Sequence, residues 1–408
     1  MNKLIKNTSL YTVGSILPQI ANLILLPIYT KYLSPAEYGI YTSMMMFNAV
    51  LIIFFTMGFE RSLNRLYYDY KNPEQKKELF GTVSISIFII ATLFLIGMLL
   101  GQNIVGKVFK SIPVHPYFII TFFISYNSVF LLVPLIYFRM THQAGKFITL
   151  SLSQFVLNAT FAIIFLVVYD KKSEGLLLAQ LISNAVLLPV FVVVVLRNFK
   201  PVFKMKYIKP VAEFSLPMIP ALLAAWIINL SDRVFIENYL SLKEVGVYSL
   251  GYQIAQVTGL LSGSLAKAYN PLFYELAAKG EQSKKKLKKY NHLIIVFILT
   301  IAFGIALFSK ELIQLFFNEE YRQAYIVSMI VALSYFISAS SGLLNLSIYQ
   351  EKKSLKMMYF VLISAGINIG LNFLLIPLYG MYGAAVATVV TFVIFFAIKY
   401  RYSKKCYF

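Results

Sequence analysis

Long apolar runs of about twenty residues alternate along the whole chain with short polar stretches rich in lysine and arginine. A helix rises 1.5 Å per residue, so about 20 apolar residues carry it across the hydrocarbon of a bilayer. Runs of that length lie near 8–30, 38–59, 80–101, 116–138, 147–169 and 174–196. Six more lie near 211–236, 244–268, 291–309, 323–348, 355–377 and 381–398. The pattern predicts an all-α polytopic membrane protein of twelve transmembrane helices. Asp232 and Arg233 interrupt the seventh run. The first run carries Pro18 and Pro27 and has no small-residue cleavage site behind it, so it reads as a spanning helix and not as a removable signal.

Composition supports this class. The 408 residues are 59% hydrophobic and 13% charged, against about 25% charged in soluble domains, and the mean hydropathy is +0.72. A soluble enzyme is excluded. Nucleic-acid binding is excluded too, despite a net charge of +20, because the basic residues sit in short clusters between apolar runs. A single cysteine, Cys406, and three scattered histidines, His115, His142 and His292, leave no basis for a disulfide framework or a metal centre.

The basic residues also orient the chain. With twelve spans, the connections on the side of the N-terminus carry 28 Lys and Arg, and those on the opposite side 9. Lys and Arg concentrate in short cytoplasmic loops, which predicts a multi-pass protein of the bacterial cytoplasmic (inner) membrane with both termini inside. The longest connection, around 267–290, holds Lys284, Lys285, Lys286, Lys288 and Lys289. Such a run reads either as a topogenic, solvated cluster or as a patch for anionic headgroups or a diphosphate.

The two halves resemble one another. Tyr32-Leu33-Ser34 with Glu37, Gly39 and Tyr41 recurs 207 residues later as Tyr239-Leu240-Ser241 with Glu244, Gly246 and Tyr248. Gly175 and Ala179 recur as Gly383 and Ala387 at an offset of 208, and Leu17-Pro18 is echoed by Leu216-Pro217. Each repeat holds six spans, an even number, so the repeats are parallel. Two six-helix lobes around a central cavity follow, residues 1–200 and 201–408, working by alternating access.

At these residues the sequence resembles the polysaccharide (O-antigen and capsule repeat-unit) flippases of the multidrug/oligosaccharidyl-lipid/polysaccharide exporter superfamily. The resemblance runs through Asn7-Thr8-Ser9-Leu10-Tyr11 to Pro27, then Tyr32-Leu33-Ser34 and Glu37 to Tyr41. It continues through Ser231-Asp232-Arg233 to Ser249, then Asn368, Asn372, Ile376-Pro377, Gly380, Gly383-Ala384-Ala385 and Ala387-Thr388. It implies a transporter that moves undecaprenyl-diphosphate-linked oligosaccharide from the cytoplasmic to the outer leaflet for O-antigen, lipopolysaccharide or capsule synthesis. The implied partners are the lipid-linked oligosaccharide and membrane lipids, with a monomer working near a polysaccharide polymerase. Drug exporters and flippases for the cell-wall precursor or a teichoic-type polymer belong to the same superfamily and stay open as alternatives. A membrane polymerase or glycosyltransferase is disfavoured by short outer loops and the parallel repeat.

Such a cargo asks for a polar path, and several residues are candidates. Ser15, Gln19 and Asn22 share one face of the first span, lining a cavity or bonding between helices. Asp232 and Arg233 each cost about 2.5–3.5 kcal/mol at mid-span, a placement typical of pathways. Asn229 lies one turn before them. The Arg233 fork suits a diphosphate and Asp232 a cation or proton, with a local ion pair as the alternative. Glu60 and Lys267 are related by the repeat offset and form a candidate cytoplasmic gate, with Arg61, Arg65 and Arg139 nearby, unless these charges only snorkel to the interface. In the eighth span Tyr252, Gln256, Gly259 and Gly263 share a face, either along the path or at a close helix contact. The tenth carries Ser334, Ser338, Ser340, Ser341 and Asn345, read as helix packing.

No phosphate-binding GxxxxGK[ST] loop occurs, so ATP is not the energy source, and no cofactor is expected. An interior-negative membrane potential favours outward movement of a diphosphate by about 2.3 kcal/mol per charge per 100 mV. Exchange for H⁺ or Na⁺ through Asp232 or Glu60 is compatible with this arithmetic and not required by it.

Overall fold

The computed structural model describes residues 2–279, 283–350 and 354–403, with side chains described from residue 14 onward except at 15, 354 and 355. Cys406, Lys352, Lys353, Lys404 and Lys405 lie outside the described residues, as do the side chains of Lys3, Lys6, Ser15 and the run Asn7 to Tyr11. Among the described residues there is helix and no strand. Twelve helices come first and last in the order α1 (Asn2–Tyr32), α2 (Pro35–Thr56), α3 (Phe59–Leu66), α4 (Pro73–Leu100), α5 (Gln102–Gly106), α6 (Ile119–Met140), α7 (Ala144–Ile163) and α8 (Lys172–Asn198), then α12 (Leu242–Ala278), α13 (Lys284–Phe316), α14 (Ala324–Gln350) and α15 (Ser354–Ser403). Between them a broken stretch forms α9 (Met205–Ser215), α10 (Ile219–Leu230) and α11 (Asp232–Tyr239).

Every predicted span falls on helix, and the departures have physical causes. The seventh run is three pieces because Pro217 tightens Leu216–Met218 and a turn follows at Ser231. The last two runs are two helical stretches that meet in a kink at Gly380, whose φ of +61° suits glycine alone without strain. The connection expected over 60–79 contains the amphipathic α3, which buries Leu63 and Leu66. The long loop expected over 267–290 is mostly helix, since α12 continues to Ala278 and the five-lysine run forms the first turns of α13.

The repeated motif is a helix start. Ser34 accepts a hydrogen bond from the Glu37 amide at 3.3 Å, the first half of a capping box that satisfies an orphan N–H. Ser241 accepts from the Lys243 amide at 3.2 Å and its hydroxyl donates to the Glu244 carboxylate. The Tyr-Leu-Ser-x-x-Glu spacing thus places a serine that accepts an amide hydrogen bond at the start of both α2 and α12.

The chain divides into two compact units, one of Met1–Leu33 with Ile40–Leu223, the other of Ser34–Gly39 with Ala224–Phe408. The division therefore lies within the seventh span, about a span's length beyond the expected 200/201. The cause is that α9 is fastened inside the first unit. The Ser215 hydroxyl donates to Ser62 Oγ at 3.0 Å, and the Arg65 guanidinium lies 5.1 Å from the Phe214 ring. Before α9, Thr82 Oγ1 donates to the Val202 carbonyl at 2.8 Å. Lys204, Lys206 and Lys200 all reach the Glu78 carboxylate, at 2.5, 3.5 and 3.7 Å, and Tyr207 Oη donates to it at 2.8 Å.

Each unit has its own apolar interior. In the first, Phe47 packs edge-on against Phe109, Phe118 and Phe122, with centroids 5.6–6.2 Å apart. In the second, Ala224, Ile228, Ala365, Phe392 and Phe395 form a buried cluster. Large apolar side chains such as Leu293, Phe297, Phe303 and Leu307 stay exposed along α13, as a helix facing lipid requires.

Candidate functional site

Asp232 stands at the first position of α11 and is 0% exposed. Ser231 ends α10 by donating to the Ile227 carbonyl at 2.7 Å, which frees the chain to restart. The start of a helix carries partial positive charge, so a carboxylate is favoured there. Three neutral donors from two other helices complete its shell. Tyr248 Oη of α12 donates to Oδ2 at 2.5 Å, Thr388 Oγ1 of α15 donates to Oδ2 at 3.0 Å, and Asn372 Nδ2 donates to Oδ1 at 2.8 Å. Behind them, Asn372 also donates to Asn368 Oδ1 at 3.2 Å, and Asn368 donates to Thr391 at 3.3 Å. A buried carboxylate held by neutral groups is a site that a proton or small cation can neutralise.

Arg233, 5% exposed, packs against tyrosine rings. Its guanidinium lies 4.5 Å from the Tyr252 ring centroid and 5.4 Å from that of Tyr248, and it donates to the Asn229 carbonyl at 3.3 Å. Two aromatic faces hold a planar cation well, and a lysine would not stack in this way. Tyr248 therefore touches both charges, one through its hydroxyl and one through its ring.

The first unit contains a cavity of about 310 Å³ lined by Pro18, Asn22, Ser151, Gln154, Asn158 and Gln180, among others. Its wall is a ladder of amides. Asn158 Nδ2 donates to Gln180 Oε1 at 2.9 Å, Gln180 and Gln154 donate to Asn184 Oδ1 at 3.1 and 3.0 Å, and Asn184 donates to Ser128 at 2.8 Å. Among the described residues no charged side chain lines this cavity. Amides offer donors and acceptors together, so the wall matches an uncharged ligand rich in hydroxyls. A second chamber, of about 450 Å³, lies in the other unit among α12, α13 and α14, with Gly259 and Gly263 on its lining.

The remaining candidates divide by unit. Asn22 lines the amide cavity, and Gln19 is exposed on the same helix. Glu60 pairs with Arg61 at 3.5 Å through Oε1, while its Oε2 is buried without a hydrogen-bond partner. Arg65 stacks on Phe214, and Arg139 stacks on Phe147 at 5.2 Å, both exposed. In the second unit Asn229 donates to the Ala225 carbonyl of its own helix at 2.7 Å, and Gln256 and Lys267 are exposed. Ser334 and Ser341 bond carbonyls of their own helix, as packing serines do, whereas Ser338 and Asn345 line the chamber.

Several residues escaped the sequence reading. Asn372 and Thr388 were carriers of the resemblance but not recognised as ligands of Asp232. Gln154 with Asn158, and Gln180 with Asn184, are amide pairs four apart in apolar runs, a spacing that puts each pair on one helix face. Lys399, just after the last apolar run, is 1% exposed, lies 3.4 Å over the Phe395 ring and donates to Ser341 at 3.2 Å.

Comparison with known proteins agrees with this architecture. The profile of a family described as polysaccharide biosynthesis protein matches residues 28–326. The probable low-salt glycan biosynthesis flippase Agl15 of Haloferax volcanii is 27% identical over 186 residues, which is 42% of this chain and 39% of that protein. The chain thus matches less than half the length of that relative. Lsg locus putative protein 1 of Haemophilus influenzae is 24% identical over 71% of this chain and 70% of its own length. Among solved structures, the inward closed lipid II flippase MurJ superposes with a TM-score of 0.77 at 16% identity, over 97% of this chain and 87% of that one. An inward-facing MATE-family multidrug resistance transporter gives 0.72 at 14% identity, over 95% and 97%. The fold is that of these membrane transporters.

Proposed function

We propose a function on the premise that the chain belongs to the polysaccharide biosynthesis protein family: it flips a saccharide carried on a polyprenyl diphosphate across the membrane. The cargo of this reading is an undecaprenyl-diphosphate-linked repeat unit for O-antigen or capsule, moved from the cytoplasmic to the outer leaflet by alternating access. The protein then sits in the bacterial inner membrane with both termini inside, acting as a monomer near a polysaccharide polymerase. The observation that carries the reading is the amide cavity of the first unit, polar and, among the described residues, lined by no charged side chain. A cationic drug needs a carboxylate at such a place, whereas sugar hydroxyls need paired donors and acceptors.

The Asp232 cluster supplies a candidate for ion coupling in the same scheme. A proton or Na⁺ entering there neutralises the carboxylate and removes the reason for Tyr248 and Thr388 to point at it. The membrane potential adds about 2.3 kcal/mol per negative charge per 100 mV in favour of outward diphosphate movement.

The test is a strain deleted for this gene, analysed for lipid-linked saccharide and for surface polymer. The reading expects completed repeat units to accumulate on lipid while surface polymer disappears, and the wild-type gene to reverse both. Unchanged surface polymer with altered sensitivity to cationic drugs would overturn it in favour of drug export.

A further inference from the structure

The chamber of the second unit is walled by Tyr269, Tyr274, Tyr335 and Tyr349 and carries Asn270 and Asn345 among them. Among the described residues none that lines it is charged. None of the described lining residues gives a diphosphate or a cation a counter-charge. A lipid tail would strip water from the asparagines without replacing their hydrogen bonds, which is costly. Asn345 Oδ1 is already buried with no hydrogen-bond partner, an acceptor short of a donor inside an apolar bundle.

The floor is kept open by glycine. A Cβ added at Gly263 or Gly342 meets nothing within 4 Å. Both lie inside long helices, where glycine is less favourable than alanine by about 0.5–1 kcal/mol. No close backbone approach accounts for them, and the space above them does. Tyrosine faces beside amides, over an uncrowded floor, suit a pyranose ring. The rings cover its C–H face while the hydroxyls and amides take its hydroxyl groups. Tyr274 and Tyr349 are 37% and 47% exposed, so the chamber opens at their end.

We propose that this chamber is a saccharide-binding subsite that accepts neutral sugar rings of the cargo, an inference that rests on the flippase reading above. The chamber also adjoins the charged cluster. Tyr335 packs edge-on against Tyr252 at 5.7 Å, and Tyr252 carries Arg233 on its ring at 4.5 Å. A sugar seated against Tyr335 thereby bears on the tyrosine that holds Arg233 beside Asp232.

The test uses the purified full chain in lipid nanodiscs and two probes. One is the undecaprenyl-diphosphate-linked saccharide extracted from the deletion strain, the other undecaprenyl diphosphate without sugar; retention of each is measured by mass spectrometry. The wild type is expected to retain the glycosylated lipid preferentially. Gly263→Leu, which fills the chamber, and Asn345→Ala, which removes the acceptor, are expected to lose that preference about tenfold while holding the bare lipid as before. Asn345→Ala keeps the experiment decisive should Gly263→Leu fail to fold, and Gly304→Leu on α13, where a Cβ also meets nothing, serves as the control that retains the preference. Variants that keep the preference, or a wild type that holds both lipids equally, would overturn the subsite and leave the flippase reading standing. A wild type that retains neither lipid would overturn both.

Discussion

Gly39 and Gly246, equivalents in the sequence repeat, meet backbone to backbone. A Cβ on Gly39 would stand 2.1 Å from the Leu242 carbonyl oxygen, and one on Gly246 would stand 1.9 Å from the Pro35 carbonyl oxygen. Each glycine lies five residues after the capping serine of its helix, so the repeated motif sets both how the two helices start and how closely they approach.

Gly246→Ala is therefore expected to lower the melting temperature of the purified protein. The atoms in the way are main chain, which cannot swing aside, and overpacking of this kind costs about 1–3 kcal/mol. Gly304→Ala, with open space around it, should leave the melting temperature unchanged or raise it slightly. Equal melting for both variants and the wild type would contradict the close contact.

Asp232→Asn preserves the size of the side chain but turns one acceptor into a donor facing other donors. Its cost to stability is about 1–3 kcal/mol, and the folded protein should still be recovered. Transport, read as surface polymer in the complemented deletion strain, should fall about tenfold or more, and should no longer respond to collapse of the proton or sodium gradient. Wild-type polymer levels from this variant would remove Asp232 from the mechanism.

Asn158→Asp places a charge in the amide cavity with the shape kept. The expected outcome is loss of surface polymer without loss of membrane-embedded protein, since a carboxylate cannot donate to Gln180 or to a sugar oxygen. Accumulation of a cationic dye inside cells should also be compared. A variant that still builds polymer normally would show that the neutrality of this cavity does not select the cargo.

Glu78→Gln leaves Lys200, Lys204 and Lys206 around a neutral amide. The stretch before α9 should then become more accessible to protease, and the melting temperature should fall, more at low salt than at high salt because the remaining lysines repel one another. Lys204→Met, which removes a cation and keeps the anion, should be milder. Identical salt dependence in all three proteins would argue against the ion cluster as the fastening.

The spans, the repeat and the Asp232–Arg233 pair were legible because lipid forbids unpaired polarity. A twenty-residue apolar run has few alternatives, and a charge within one stands out. The partners of Asp232 were not legible, because Asn372 and Thr388 lie 140 and 156 residues away and only folding brings them near. The burial of Lys399 is not legible either. The residue follows the last apolar run like any flanking lysine, and nothing local says that its amine turns back onto Phe395 and Ser341. The amide ladder could have been found, since pairs four apart in lipid must share an inward face. The candidates Glu60 and Lys267 illustrate the converse, since the repeat predicts equivalent positions and says nothing of which side chains each position meets.

The fastening of the inter-repeat stretch gives its lysines two successive roles. While the chain is being inserted, Lys200, Lys204 and Lys206 are unfolded and unpaired, and on the proposed orientation they help hold that stretch on the inner side of the membrane. Once folding brings Glu78 among them, its single carboxylate offsets one of the three charges, and the group serves as a clasp. The address read during biogenesis is thus partly masked as the protein matures, and the surface that remains there attracts anions somewhat less than a count of its lysines suggests.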